Sequence, residues 1–341
     1  NENPNLRWEK KYEYNVGVDF DMFGGRLGGA IDFYMRDTKD GLWDYSVSVP
    51  PYQYGSIMAN VAEIRNFGLE VLINAIPVQT KDFEWSTNLS YSTNKNELKS
   101  ISNDEFSMST DWFTTGHTGE PIQTTTHRVK VGCPIGDFYG LKSVGLTTDG
   151  KWLVERFDEN GKKFYDYANN AVQSDWQILG NGVPTHYLNF NNTFRYKNWD
   201  LSIGMRGAFG FQILNYQEMY YANPTIQYNV LNSAFDTHPT YEIVDGGYGI
   251  KRASKDVTIS DSQRYVSEYV EDGDYWKIDN VTLGYTFNTK TWKYVKNLRL
   301  YASCLNLATI TGYKGLDPEV RMTGLDAGTD SRDKYPTNRS F

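Results

Sequence analysis

The clearest structural signal in the sequence is the run Tyr12-Glu13-Tyr14-Asn15-Val16-Gly17-Val18-Asp19-Phe20-Asp21. Apolar and polar residues alternate throughout it. A period of two places the apolar side chains on one face of a β-strand and the polar ones on the other. Gly24-Gly25 then supplies the permissive backbone of a tight turn, and residues 27–36 return with the same alternation. The start of the chain therefore predicts a two-faced antiparallel hairpin.

The same alternation recurs along the chain. Further strands are predicted at 67–74, 83–91, 187–196, 199–206, 280–287 and 298–304, with weaker ones at 124–131 and 138–146. Short turns are predicted at Gly24-Gly25, Pro77–Asp82, Gly132–Gly136, Lys197-Asn198 and Asn288–Lys296. Long polar segments are predicted at Thr38–Ala59, Thr93–Gln123, Thr147–Thr185, Gly210–Asp274 and Leu307–Asn338. Short turns on one side and long loops on the other are typical of bacterial outer-membrane barrels.

The composition is compatible with such a barrel. The 341 residues are 39% hydrophobic, with a net charge of −8 and a mean hydropathy of −0.59. A spanning helix needs roughly 18 consecutive apolar residues, and the sequence contains no such run. In a barrel only alternate strand residues face lipid, so low hydropathy is expected. The charged strand residues all have the parity of the lumen face: Glu13, Asp19, Asp32, Glu70, Glu84, Asp200 and Arg206.

Strand parity predicts an incomplete barrel. The pattern indicates about eleven strands, the last a stub ending at Phe341, and it would place Asn1 on the extracellular side. Bacterial single-chain barrels have an even number of strands with both ends in the periplasm, and an open edge cannot face lipid. Residues 1–341 are therefore predicted to be the C-terminal part of a larger, all-β, antiparallel transmembrane barrel. A soluble β-sandwich or propeller is the alternative fold, although no blade repeat of ~40–45 residues is visible.

Several short motifs resemble the SusC/RagA family of TonB-linked outer-membrane transporters of Bacteroidetes. They occur in the order typical of the family and cover nearly the whole chain: Asn3-Pro4-Asn5-Leu6-Arg7-Trp8-Glu9, Val49-Pro50-Pro51, Asn60-Val61-Ala62-Glu63, Asn66-Phe67-Gly68-Leu69-Glu70, Asn198-Trp199-Asp200, Gly273-Asp274-Tyr275, Asn297-Leu298-Arg299-Leu300-Tyr301 and Tyr313-Lys314-Gly315-Leu316-Asp317-Pro318-Glu319. The resemblance implies a plugged barrel of about 22 strands, of which about half is expected here. The plug, TonB box and N-terminal extension of the family have no counterpart in this sequence.

The resemblance also implies a function and partners. Members of the family import oligosaccharides or peptides across the outer membrane, with a SusD-like surface lipoprotein as a lid and TonB acting through the plug. Membrane lipid and a second transporter copy are the further partners implied. The acidic chain, with a sequence pI of about 5.2, offers no basic surface for nucleic acid.

Sugars are held by aromatic faces together with polar hydrogen-bonding groups. The candidate substrate-binding residues are the loop aromatics Trp43, Tyr45, Trp112, Phe113, Trp152, Trp176, Tyr220 and Tyr221. The competing interpretation is that such aromatics pack within the loops or against a lid, as Trp85, Trp199, Trp276 and Tyr285 are expected to form the interfacial girdle. A neutral oligosaccharide is the predicted substrate, although peptide importers share the scaffold.

Catalysis and cofactors have little support in the sequence. His117, His127, His186 and His238 form no metal-binding pair, and the acidic pair Asp158-Glu159 lacks the spacing of a calcium loop. No catalytic or metal residue and no cofactor is predicted, and the chain is expected not to be an enzyme. A soluble carbohydrate-binding or glycan-hydrolysing domain and a passive porin remain the alternative functions.

Overall fold

A computed structural model describes residues 2–108, 110–335 and 337–341. Asn1, Ser109 and Pro336, which belong to segments quoted above, lie outside the described residues. The strands, in chain order, are β1 Lys10–Met22, β2 Leu27–Ser46, β3 Ser56–Gln79, β4 Phe83–Ile101, β5 Trp112–Thr115, β6 His127–Lys130, β7 Asp137–Gly140, β8 Ser143–Leu146, β9 Trp152–Phe157, β10 Lys163–Tyr167, β11 Gln177–Asn181, β12 His186–Tyr196, β13 Trp199–Phe209, β14 Gln212–Asn215, β15 Tyr241–Val244, β16 Gly249–Arg252, β17 Val270–Asp272, β18 Tyr275–Phe287, β19 Leu298–Thr311 and β20 Thr329–Asp330.

Helical structure is sparse. One short α-helix, α1, spans Tyr216–Tyr221, and Asn215 caps it by accepting a hydrogen bond from the Glu218 amide. Single 3-10 turns occupy Ala168–Asn170, Gln173–Asp175, Asn232–Phe235, Asp245–Gly247 and Ser267–Tyr269. Among the described residues, no helix is both long and apolar enough to cross a membrane.

A single antiparallel sheet of eight strands dominates the fold, in the order β1-β2-β3-β4-β12-β13-β18-β19. In the described part of the chain this wall sheet is open, with β1 and β19 at its edges. The wall strands are those predicted from the alternation. The predicted number of about eleven is wrong, because the segments at 124–131 and 138–146 do not enter the sheet and the predicted final stub forms only an isolated bridge, between Ser340 and Leu305. The two segments form β6, β7 and β8 of smaller sheets instead.

The register of the wall sheet places the predicted apolar residues opposite one another. Val16 pairs with Phe33, and Phe33 pairs with Leu69 on the next strand. These side chains are exposed, Val16 at 74% and Phe33 at 53%. A water-soluble domain does not leave so continuous an apolar face uncovered. The face therefore has the character of a lipid-facing barrel wall.

The opposite face is polar, as predicted. Glu13 pairs with Arg36 on β2, with 2.8 Å between the carboxylate and the guanidinium, and the charged residues expected in the lumen share this face. A polar exception on the apolar face is Asn192, whose Oδ1 accepts a hydrogen bond of 3.0 Å from the Trp85 indole. The bond satisfies an amide that would otherwise be costly to bury.

The short connections of the wall sheet lie at one end and the long connections at the other. The tight turn at Gly24-Gly25 uses positive φ angles of 65° and 85°, and Lys197-Asn198 joins β12 to β13. Gly132–Gly136, predicted as a turn of this kind, instead joins β6 to β7 at the loop end. At the short-turn end, Trp199 packs on Tyr285 with ring centroids 4.7 Å apart, as expected for an interfacial aromatic girdle.

The wall strands are longer than predicted. β2 and β3 extend into the segment Thr38–Ala59, so the connection between them covers only residues 47–55. β3 has 24 residues, whereas about 9–11 residues suffice to cross a bilayer. The surplus lies at the loop end, where both strands project beyond the expected membrane thickness. There the strands pack against the loops, as Tyr45 and Ile57 do with Phe106 in a buried apolar cluster, so their residues do not alternate between lipid and lumen.

The largest buried cluster lies in the long loops, and smaller buried clusters join the loop-end parts of the wall strands to them. We call the described residues of 102–185 and 210–274 the loop domain. Its largest cluster of buried side chains includes Phe138, Leu146, Trp152, Leu214 and Val266. The strand sets β10-β9-β8, β11-β7-β6-β5 and β15-β16 belong to this domain, and β17-β14-β20 adds a short strand from the end of the chain.

Candidate functional site

The loop domain is built directly on the ends of two wall strands. Ala208 at the end of β13 and Tyr275 at the start of β18 pack with Phe211 and Ile213 in a buried cluster. This cluster connects the loop domain to the loop-end termini of β13 and β18.

Two of the predicted binding residues are parts of the core. Trp152 is 1% exposed and Tyr220 is 0% exposed, so neither offers a surface to a ligand. Trp152 packs edge-on against Tyr269 with centroids 6.0 Å apart, and the Tyr220 hydroxyl donates to the Thr118 carbonyl. These two aromatics pack within the loops, which is the alternative to ligand binding considered from the sequence. Tyr221 is half-buried and stacks edge-on with Tyr228 at 6.0 Å.

Three predicted residues meet in an aromatic cleft. The rings of Trp43 and Phe113 lie 5.2 Å apart, edge to face. Tyr45 lies beside them, and Met108 and Leu325 complete the lining. Trp43 and Tyr45 come from the projecting part of β2, Phe113 from β5 and Leu325 from the end of the chain. The cleft thus joins residues almost 300 positions apart in sequence, from Trp43 to Leu325.

A second group lies on one face of the four-stranded sheet β11-β7-β6-β5. The rings of Trp112 and Tyr139 are 6.1 Å apart, and those of Tyr139 and Trp176 are 5.5 Å apart. We call these three side chains the aromatic row. The Arg128 guanidinium lies 4.8 Å from the Tyr139 ring centroid, in the range of a cation–π contact. Trp112 and Trp176 are half-buried, so parts of both rings remain open.

Burial shifts the pKa of two groups of this sheet, Asp137 on the face of the aromatic row and His127 on the opposite face. Burial raises the pKa of Asp137, against the opposing effects of the Asn181 hydrogen bond and the Arg128 charge. Burial also lowers the pKa of His127, although its hydrogen bond to Ala327 and the Asp326 charge act the other way. His127 Nε2 lies 2.9 Å from the Ala327 carbonyl oxygen, an acceptor, so Nε2 carries the proton. His127 therefore has the role of a neutral core residue.

The end of the chain is anchored by buried charges. We call the described residues of 312–341 the return segment. Lys277 Nζ lies 2.8 Å from Asp317 Oδ1 and 2.9 Å from Glu319 Oε2, and Arg206 also pairs with Glu319. Lys277 is only 3% exposed. Asp317 and Glu319 belong to the motif that carried the family resemblance, and here they hold the return segment against β13 and β18.

Beyond this anchor the return segment contacts both the loop domain and the wall. Leu325 packs against a cluster that contains Leu98 and Val129. At its last residues, Ser340 exchanges backbone hydrogen bonds with Leu305, of 2.8 Å and 3.2 Å. These two bonds form an isolated antiparallel bridge to β19, and the further strand predicted there stays a prediction.

Sequence reasoning missed Arg128 and Tyr139 as parts of the site. Both lie within the two weak strands predicted at 124–131 and 138–146, which were assigned to the wall. Arg128 pairs with Asp137, and Tyr139 lies two residues after Asp137 on the same strand. Arg128 and Tyr139 therefore share one face of a loop sheet. Alternation within those short stretches is the signal that could have found them, had the segments been assigned to the loops.

No group of three or more potential metal ligands occurs among the described residues. Cys133 and Cys304 are free. The acidic pair Asp158-Glu159 lies at the turn between β9 and β10, where Asp158 Oδ1 accepts from the Asn160 amide at 2.9 Å. Asp158 Oδ1 also accepts from the Lys162 amide at 2.9 Å, as in a hydrogen-bonded turn.

Relatives and solved structures match almost the whole chain. It is 30% identical over 363 residues to TonB-dependent receptor P3 of Formosa agariphila, covering 99% of this chain and 34% of the relative. It is 30% identical over 354 residues to the TonB-dependent receptor SusC of Bacteroides thetaiotaomicron, covering 99% of this chain and 32% of SusC. A solved structure of the RagAB peptide transporter matches with a TM-score of 0.78 at 20% identity, over 99% of this chain and 35% of the solved one. No protein-family model matches.

The open two-faced sheet and the matching RagAB fold define part of an all-β transmembrane barrel of the outer membrane. More specifically, the chain is homologous to the SusC-like TonB-dependent receptors, as the sequence resemblance predicted. The chain spans about a third of the length of the curated relatives it matches.

Proposed function

We propose that this chain is the C-terminal part of the barrel of a TonB-dependent importer. The whole protein would carry an oligosaccharide or a peptide across the outer membrane, with a SusD-like lipoprotein closing over the loop end and TonB acting through a plug. The observation that carries the proposal is the match of 99% of the chain to SusC. The peptide choice draws on the RagAB structure, which is that of a peptide transporter.

The two faces of the wall sheet support this proposal. The polar face presents hydrogen-bonding groups suited to a lumen through which a polar substrate passes. Tyr34 there donates to Asn94 Oδ1 at 3.0 Å, and Asn88 donates to Asn74 Oδ1 at 2.7 Å. These groups are close to water in polarity, so a hydrated substrate would lose little by contacting them.

The loop domain supports a role in substrate capture. The aromatic cleft and the aromatic row both lie at the loop end, which is extracellular in barrels of this kind. Four of the predicted residues are half-buried within these two groups: Trp43, Trp112, Phe113 and Trp176. Tyr221 is also half-buried, beside Tyr228, whereas Tyr45 is buried at 8% exposed. We propose the five half-buried residues as substrate contacts.

Growth experiments test the proposal. A strain that lacks the whole gene would be grown on a panel of glycans and peptides as sole nutrients, with and without complementation. The proposal requires a defect on at least one glycan or peptide, restored by the complementing gene. The same defect must appear when TonB is removed. Growth that depends on the gene but survives loss of TonB would favour the passive porin instead.

A lid is tested separately. Co-purification from outer membranes should recover a surface lipoprotein with the intact transporter. Substitution of exposed loop residues should weaken the complex, whereas substitutions at the short-turn end should not. Recovery of the transporter without any lipoprotein would contradict the lid while leaving import itself untouched.

A further inference from the structure

The aromatic row holds a cation that has no acceptor. Arg128 lies over Tyr139, between the two tryptophans of the row. Within the described residues its Nε atom is sealed from solvent and has no hydrogen-bond partner. Buried polar atoms are nearly always hydrogen-bonded, and an exception calls for an explanation. Nε itself is out of reach of an outside ligand, so an acceptor from outside the described chain would have to meet the terminal nitrogens of this half-buried arginine.

Neighbouring carboxylates on the same face are engaged elsewhere. Asp137 faces Arg128 across the strand pair, but its Oδ1 accepts a bond of 2.8 Å from Asn181 Nδ2. Asp111 lies 3.8 Å from Lys130 Nζ. Among the described residues no carboxylate lies within ion-pair distance of Arg128. Arg128 as a whole is half-buried, so part of its side chain remains open to a ligand.

The chemistry of the row selects the kind of acceptor. A guanidinium presents a planar fork of N–H groups that matches a carboxylate in two parallel hydrogen bonds. Trp112 and Trp176 flank it with partly open ring faces, which suit the apolar face of a sugar ring or the stem of a side chain. A neutral hydroxyl would satisfy a donor, whereas a carboxylate would also form the close ion pair that Asp137, which acts on Arg128 from outside ion-pair distance, does not form.

We infer that this face binds a carboxylate-bearing ligand, with the carboxylate on Arg128 and the attached ring or chain between Trp112 and Trp176. The carboxylate could come from an acidic sugar of an oligosaccharide or from an acidic peptide. The inference deepens the proposed import function by naming the chemistry of its substrate. A carboxylate-bearing ligand differs from the neutral oligosaccharide predicted from the sequence, because that prediction rests on the loop aromatics alone and does not include Arg128.

Equilibrium binding to the purified full-length transporter tests the inference. The probes are two matched pairs: an oligogalacturonide with the neutral oligogalactoside, and a peptide containing Glu with its Gln-containing, C-terminally amidated counterpart. We expect one acid probe to bind more tightly than its neutral partner, and the pair that shows this identifies the source of the carboxylate. Arg128→Gln should then weaken binding of that acid about 10- to 100-fold, the range of a lost charge-assisted hydrogen bond, and should leave the neutral partner nearly unchanged.

Two further variants complete the test. Arg252→Gln is the matched control, because Arg252 is an exposed loop arginine that pairs with Asp256, and it should bind the acid as the wild type does. Arg128→Lys keeps the charge but loses the fork, so it should bind with intermediate affinity. It replaces Arg128→Gln in the comparison if the latter does not fold.

The outcomes separate this inference from the proposed function. Binding is measured without TonB or transport. If neither acid binds better than its neutral partner, or if Arg128→Gln binds the acid as tightly as Arg252→Gln does, the carboxylate site is refuted. The import proposal would then still be tested independently, by the TonB-dependent growth defect.

Discussion

Lys277→Met is expected to release the return segment from the wall sheet. Lys277 Nζ is the buried cation that Asp317 contacts at 2.8 Å and 3.0 Å. Removing one partner of a buried ion pair costs about 3–5 kcal/mol, because the other charge stays buried without compensation. Here Glu319 keeps Arg206, and Asp317 keeps the Glu319 amide at 2.9 Å. We therefore expect the lower end of the range, about 3 kcal/mol.

Hydrogen exchange of the full-length protein measures this change directly. A loss of about 3 kcal/mol corresponds to an opening equilibrium roughly a hundred times more favourable. The amides of the return segment, such as Gly328, which donates to the Arg321 carbonyl at 2.8 Å, should exchange faster by that factor. Amides in the middle of β2 and β3 should not change, because the anchor does not contact them.

A double variant separates lost charge compensation from lost packing. Lys277→Met with Asp317→Asn removes both charges, so most of the protection should return. If Lys277→Met accelerates exchange by less than about threefold, the buried pair does not hold the segment and the reasoning is refuted. If the single and double variants exchange equally fast, the loss arises from packing and not from the stranded carboxylate.

Three further predictions concern the wall and the loop domain. Phe33→Lys places a cation on the apolar face and should weaken membrane insertion of the barrel by about 2–4 kcal/mol, measured by folding into vesicles, whereas Asp32→Lys on the polar face should not; equal effects would contradict the face assignment. Burial acts against the charge of Asp175, but the amides of Val172 and Phe157 and the Arg156 guanidinium outweigh it and lower its pKa. The stability from Asp175 is thus fully present above its unfolded pKa of about 4 and is lost as pH falls through the lower folded pKa, so Asp175→Asn should flatten the acid limb of loop-domain unfolding, and an unchanged limb would count against it. Because burial lowers the pKa of His127, the folded state favours the neutral ring and should lose stability as pH falls below about 6.5. His127→Gln should reduce that loss of stability between pH 7 and 5, as measured by thermal unfolding.

The alternation of residue types predicted the wall sheet well because the constraint is local. Each residue of a strand in this wall faces either lipid or the lumen, and the choice repeats every two residues. The face of Tyr14, Val16 and Val18 can therefore be assigned without knowing which strands lie beside them. The register then followed, because a one-residue slip would have turned Phe33 into the lumen.

The loop strands could not be predicted in the same way. A four-residue strand such as β6 offers two alternations at most, which a wall strand and a loop strand share equally. The weak strands at 124–131 and 138–146 were therefore assigned to the wall, and the strand number came out at about eleven instead of eight. Sequence alone gives no measure of whether such a segment pairs with β4 or with another loop.

The fate of the loop aromatics shows the same limit. Trp152 and Tyr220 are as aromatic as Trp112 and Trp176, yet the first two fill the core and the other two remain partly open. Burial depends on which distant segments cover a ring, and composition carries no trace of that. Arg128 belongs to the site because β6 pairs with β7, with Arg128 opposite Asp137, and this pairing is not visible in the sequence.

The sequence by itself therefore determined that the chain forms a two-faced, membrane-type β-wall with turns at one end and long loops at the other. The reason is local, because each strand residue is apolar or polar according to whether its own side chain contacts lipid or water. The short motifs of the sequence also resemble the SusC/RagA family, in agreement with the similarity to SusC. Tertiary structure decided which strands belong to the wall, which aromatics remain open, and how Lys277 meets Asp317 and Glu319 across 40 and 42 positions. Those features arise from contacts between residues far apart in the chain, and such contacts exist only once the chain has folded.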